Sequence, residues 1–242
     1  IAVQIFENPE LGYKEFKTKD AVLNYLKKVN PSIETEFFSI TGIKTVLGKG
    51  KELNIAFISE LDAVYAPSHW CADKETGAAH NCGHHTQTAI ALALYNYFYK
   101  SKAYEKLDYS LTFIFIPAEE YLDLSYREKL QKDGTIKYFG GKPEAMRLGV
   151  FDDIDAGVCV HAIGGTFDER TTEINCDLAG FLYKKYTFKG SASHAGFDPF
   201  TGKNAYSMST VFQVALGLMR QQLKDSEHVR LNPIVMQSDM ST

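Results

Sequence analysis

Long apolar runs are missing from this chain. None of its 242 residues belongs to an apolar stretch of the length a bilayer crossing needs. No basic start followed by an apolar segment and a small-residue cleavage site marks a secretory leader. Positive charge is also in short supply. The 26 Lys and Arg against 30 Asp and Glu leave a net charge of −4, so there is no electrostatic reason to expect nucleic acid or an anionic membrane as a partner. Cysteine is limited to Cys71, Cys82, Cys159 and Cys176, too scattered for the disulfide framework of a small secreted domain. These absences point to a reduced, cytoplasmic protein. What remains, 45% hydrophobic and 23% charged residues, is the composition of a globular protein. The length suits one large domain or two ordinary ones. The chain opens at Ile1 and closes at Thr242 with no terminating element, so it is expected to be a piece of a longer protein.

Hydrophobic spacing predicts an α/β order. Ala21, Val22, Tyr25 and Leu26 recur at helical spacing, which predicts a helix over 17–28 closed by Pro31. Strands are predicted over 45–48 and 53–59, the second nearly continuous in apolar residues, as burial on both faces requires. A helix over 86–99, a buried strand over 111–116, a short helix over 143–148 and a third buried strand over 156–160 follow, an alternation that belongs to an α/β sheet. The stretch 121–139 is rich in Lys, Arg, Asp, Glu and Tyr and reads as a solvated excursion. Past Gly164-Gly165 the character changes. The alternating, aromatic segment 181–188 predicts a strand with one solvated face, 190–196 a flexible loop, and 205–223 a long amphipathic helix. This divides the chain into a first domain over 1–175 and a second over 176–242.

Chemistry concentrates at four places. His80-Asn-Cys82-Gly-His84-His85 gathers a thiol and three imidazoles, in a chain with four Cys and seven His, at the opening of the second helix. Such soft groups are gathered for a metal ion or for an activated nucleophile. A closed structural zinc site would need a second tight pair, so a site assembled from distant segments fits better. Three apolar strands deliver polar residues at their C-terminal ends: Glu60 and Asp62, Glu119 and Glu120, and His161. That edge is where α/β sheets hold ligands. Adjacent carboxylates such as Glu119-Glu120 allow one to bind metal while its neighbour handles a water proton. His194 sits in the Gly/Ser/Ala loop of the second domain and needs a partner domain to reach any such site.

In order and over nearly the whole chain, these residues resemble the M20 metallopeptidases, in the amidohydrolase branch of hippurate, N-acyl-amino-acid and auxin-conjugate hydrolases. The resemblance rests on Asn8-Pro-Glu-Leu-Gly12 with Glu15 and Thr18, Thr41-Gly42-Ile43, Glu60-Leu-Asp62-Ala63, His80-Asn-Cys82-Gly-His84, Pro117-Ala-Glu119-Glu120, Val160-His161, Ser193-His194-Ala-Gly196, and Pro199, Gly202 and Asn204-Ala205. It implies a di-metal α/β catalytic domain, incomplete in this chain, with an inserted α+β lid domain through which two subunits dimerise. It implies Cys82, His84, Glu120 and His161 as ligands of two divalent metal ions, Mn2+ or Zn2+, with Co2+ and Ni2+ as further candidates. Glu119 then matches the general base, and His194 the lid histidine that supports the oxyanion in the partner subunit's site. The implied reaction is hydrolysis of the amide of an N-acyl-amino acid, a related conjugate or a short peptide. The branch carries Asp and His where this chain has His85 and Gln87. Those two positions motivate an alternative reading as a catalytically silent relative that binds a conjugate or serves as a dimeric scaffold.

Overall fold

The computed structural model describes residues 1–174 and 180–233, and the chain divides into two compact units, 1–166 and 167–242. The expected domain boundary at 175/176 lies outside the described residues.

In the first unit, a short helix α1 (Ala2–Phe6) precedes α2 (Phe16–Val29), then strands β1 (Glu36–Phe38), β2 (Gly42–Leu47) and β3 (Leu53–Glu60). A two-residue pair, β4 (Val64–Tyr65) and β5 (Ala78–Ala79), leads to α3 (His84–Ser101). Strand β6 (Tyr109–Ile116), helices α4 (Leu124–Lys132) and α5 (Gly141–Arg147), and strand β7 (Ala156–Cys159) complete it. The sheet runs β1-β2-β6-β3-β7. Strands β6, β3 and β7 are parallel neighbours, and β1 and β2 pair antiparallel at one side. The α/β class read from the sequence is the observed one.

The central strand shows why the sheet is covered on both faces. Side chains alternate along a strand, and in β6 Leu111, Phe113 and Phe115 enter one core with Val22 and Leu26 of α2 and Ala91, Leu92 and Tyr95 of α3. Ile114 and Ile116 enter the other, with Ala56 of β3 and Ala145 of α5. Strand β7 differs from expectation. Among the described residues it lies at the sheet edge with β3 as its one neighbour, and its four residues are exposed rather than buried.

The stretch 121–139 also departs from expectation. It contains α4, fully buries Arg127 and nearly buries Ile136, and forms a small core with Tyr13 and Ala118. Its charged composition hides this because one basic side chain turns inward while its neighbours stay solvated.

The second unit carries α6 (Ala205–Met219), followed by a 3-10 turn over Arg220–Gln222. The Asn204 side chain caps α6 by accepting from the Ser207 N–H. The segment 181–188 is not a strand. The alternation does put Tyr186 and Phe188 against Phe212, with ring centroids 4.6 and 5.6 Å away. No strand pairs with the segment among the described residues, and a ladder needs a partner. No helix among the described residues is long and apolar enough to cross a membrane.

Candidate metal centre

The parallel register brings the chemistry to one edge. Glu60, the last residue of β3, is level with Ile116 of β6, and Ile58 is level with Cys159 of β7. Glu119, Glu120 and His161 therefore follow within a few residues of the same sheet edge. Helix α3 supplies the rest. Its buried residues, His84, Gln87, Thr88, Ala91, Leu92 and Tyr95, form one stripe at helical spacing. The face that anchors the helix in the core thus carries His84 and Gln87 to the edge at its first turn. Gly83 precedes the helix at φ +110°, and a Cβ there would lie 2.8 Å from Ala162 Cβ. Only glycine lets the loop adopt that backbone and approach the His161 segment so closely.

Two groups of ligand atoms, each within 4.8 Å, share His84: Cys82, His84 and His161 form one, and Glu60, His84 and Glu119 the other. Cys82 Sγ is 3.5 Å from His161 Nε2. His84 Nε2 is 3.1 Å from Glu60 Oε2 and 4.0 Å from Glu119 Oε2. Both histidines are oriented alike. His84 Nδ1 donates to the Asp62 carbonyl at 2.8 Å, and His161 Nδ1 donates to the Ala162 carbonyl at 2.7 Å. Each Nε2 is thereby left as the ligand atom. His84 Nε2 and Asp62 Oδ1 are buried with no well-formed hydrogen bond, the condition of groups shaped for a cation.

Electrostatics agree. Burial pushes the His84 imidazole down, but Asp62, Cys82 and Glu60 outweigh it and hold the ring far above the usual histidine range. Burial pushes Glu60 up, yet His84 and Lys142 bring it down to about 2. Lys142 pairs closely with Glu60 and lies 3.5 Å from Glu119 Oε1. Burial lowers its pKa, but Glu60 and Glu119 raise it more. Charged groups of this density call for a cation, and a thiolate with imidazoles and carboxylates suits a transition metal.

Of the residues singled out from sequence, Glu60, Cys82, His84, Glu119 and His161 fall in these groups. Glu120 lies outside both. Its N–H donates to Asp62 Oδ2 at 2.9 Å. Burial raises its pKa, and interaction with the Cys82 thiol partly offsets that. His80 and His85 stand apart. Their rings are 5.5 Å from each other, and Phe6 packs on His85 at 5.0 Å. Burial, then His85 and His84, bring His80 down to about 3, so it packs as a neutral ring. His194, in the second unit, is exposed, and its N–H donates to Asp198 Oδ1 at 3.2 Å.

Sequence reasoning missed several contributors. Glu60 and Asp62 were visible as a strand-end pair, but their contacts with His84 were not. Lys142 gave no signal. Gln87 is buried and joins two strand ends. It accepts from the Glu60 N–H at 2.7 Å and donates to the Val160 carbonyl at 2.7 Å.

Residues 56–239 match a family described as peptidase family M20/M25/M40. The chain is 25% identical to a subunit of the p-aminobenzoyl-glutamate hydrolase of Escherichia coli (strain K12), over 95% of this chain and 44% of that protein. It is 33% identical to N-acetyldiaminopimelate deacetylase of Bacillus cytotoxicus (strain DSM 22905 / CIP 110041 / 391-98 / NVH 391-98), over 46% of this chain and 30% of that protein. The chain spans less than half the length of these relatives. The fold resembles the crystal structure of a provisionally named aminohydrolase from methicillin resistant Staphylococcus aureus. The TM-score is 0.55 at 20% identity, over 92% of this chain and 57% of that one.

Proposed function

The chain belongs to peptidase family M20/M25/M40, and from that premise we propose that the protein it is part of is a metal-dependent hydrolase. It cleaves the amide bond of N-acyl-amino acids or related small amino-acid conjugates. The observation that carries this reading is the pair of ligand groups sharing the buried His84. The names of two relatives, an aminobenzoyl-glutamate hydrolase and an acetyldiaminopimelate deacetylase, describe reactions of that class on their own substrates.

Cys82, His84, Glu120 and His161 would hold two divalent ions, with Glu60 and Asp62 close by. When bound, such ions polarise a carbonyl oxygen and lower the pKa of water. The donor set, a thiol with two imidazoles, favours Zn2+ or Co2+ over hard cations, and Mn2+ and Ni2+ belong in the same test. Glu119, a half-buried carboxylate, takes the proton from the attacking water and delivers it to the departing nitrogen. Lys142 lies 3.5 Å from Glu119 Oε1. His84 and Asp62 keep the edge aligned through the Nδ1 contact. His194, on a lid domain over 176–242, reaches the site of a second subunit in a homodimer and stabilises the oxyanion, a contribution of about 3 kcal/mol in other hydrolases. The composition supports a cytoplasmic location.

The test is hydrolysis of a panel of N-acyl-amino acids by the full-length protein loaded with Mn2+, Zn2+, Co2+ or Ni2+. Activity is expected on some member, and Glu119→Ala is expected to remove it. Full activity in Glu119→Ala would exclude this mechanism.

A further inference from the structure

The Pro117–Glu120 turn carries both carboxylates that follow the central strand, and Ala118 within it has a left-handed backbone, φ +53°. A non-glycine residue holds such a conformation only when its surroundings enforce it. The enforcing groups are identifiable. On the N–H side, Ala118 N donates to the buried Glu15 carboxyl at 2.7 Å, and Glu120 N donates to Asp62 Oδ2 at 2.9 Å. On the carbonyl side, Ala118 O accepts from Gly141 N at 2.9 Å and more weakly from Arg127 Nη1 at 3.5 Å. Glu120 O accepts from Arg127 Nη2.

Arg127 is unusual in its own right. It has no exposed surface and no carboxylate partner among the described residues. Its Nη1 also donates to the Phe139 carbonyl at 2.7 Å, and its guanidinium carbon lies 5.5 Å from the centre of the Tyr13 ring and 6.0 Å from that of Tyr121. A buried charge without a counter-ion is costly unless its donors are used; here Nε has no partner, while both Nη atoms are spent on backbone carbonyls, those of Ala118 and Glu120 on either side of Glu119 and that of Phe139. The space has been cleared for it. A Cβ on Gly12 would sit 2.3 Å from Arg127 Nη2 and 2.8 Å from Ala118 Cα. The helix that presents Arg127 is tied to the same N-terminal segment by an ion pair of 2.6 Å between Lys14 and Asp123.

We propose that Arg127 is a positioning residue for the Glu119–Glu120 turn, and that the 121–139 excursion exists in part to deliver its guanidinium there. The planar fork spans the carbonyls of residues 118 and 120 at once, which a lysine ammonium cannot reproduce. The proposal rests on the hydrolase reading for the roles of Glu119 and Glu120. Its geometry stands without that reading.

The experiment uses the full-length protein with Arg127→Lys and, separately, Arg127→Met, assayed well below their melting temperatures at saturating metal. Both variants are expected to lose at least about tenfold in kcat, the range seen when supporting contacts of a metal site are removed. KM should change less than about threefold, because the substrate contacts remain. A fold defect alone would lower the folded fraction without changing the metal affinity of the folded molecules. A Co2+ titration read at the cobalt–thiolate absorption provides an arm independent of turnover, with weaker binding expected in both variants. If the unmutated protein hydrolyses nothing, the functional reading fails, and the Co2+ titration still decides the brace. Should Arg127→Met not fold, Arg127→Lys decides. Wild-type kcat together with wild-type Co2+ affinity in folded Arg127→Lys would overturn the proposal.

Discussion

Glu15 shows how a residue can matter to the site without facing it. It is fully buried, accepts from Thr41 Oγ1 at 2.6 Å and from Ala118 N at 2.7 Å, and has Asp62 as a like-charged neighbour. Burial first, then the Asp62 charge, raises its pKa to about 8. The folded value lies above the unfolded one, so the stability this group contributes is complete below about pH 4.5 and is lost as pH rises toward 8. Glu15→Gln mimics the neutral acid. Between those limits the wild type is expected to lose stability with rising pH relative to the variant, measured by urea melts at several pH values. Parallel pH profiles would show that Glu15 is not neutral in the fold. The sequence displayed Glu15 as one residue of a motif, but its partners are 26 and 103 residues away, and no spacing rule reaches that far. Gln87 makes the same point from the other side. As a departure from the branch pattern it suggested a weakened site. In the fold its amide accepts from Glu60 N and donates to Val160 O, tasks that a neutral imidazole divides between its two nitrogens. The motive for a catalytically silent reading is correspondingly smaller.

Among the elements, α3 was the most legible, because its apolar stripe and the Cys/His cluster at its start lie in one contiguous stretch. Its geometry depends on Gly83. Gly83→Ala places a Cβ at φ +110° against Ala162, so a destabilisation of about 1–3 kcal/mol is expected from strain of this kind. Chemical denaturation of the full-length protein would measure it, and an unchanged midpoint would mean that the loop accommodates the methyl freely. The central strands β3 and β6 were read within two residues of their ends, since burial on both faces leaves a continuous apolar run. Strand β7 was misjudged as buried because its composition says nothing of its place at the edge. The 121–139 stretch was misjudged because one inward-facing arginine is invisible in an average over charged neighbours. The aromatic segment 181–188 has the alternation of a strand but lacks one to pair with among the described residues.

At the scale of the whole molecule, this chain supplies one sheet edge on which β3, β6, β7 and the start of α3 converge, the arrangement a shared site requires and one that strand ends alone do not establish. Nor do they establish the packing that turns nearby residues into ligand atoms with free Nε2 positions. It depends on carbonyls and carboxylates, such as Asp62, that act through three-dimensional contact. The matches cover 44% and 30% of the two curated relatives, so activity belongs to tests on the full-length protein. The most direct of these is elemental analysis of that protein after dialysis, with His84→Ala beside it, because His84 belongs to both ligand groups. The account predicts divalent metal at stoichiometric levels in the wild type and its loss at both positions in His84→Ala. A wild-type protein that retains no metal, or a His84→Ala variant that retains all of it, would contradict the account.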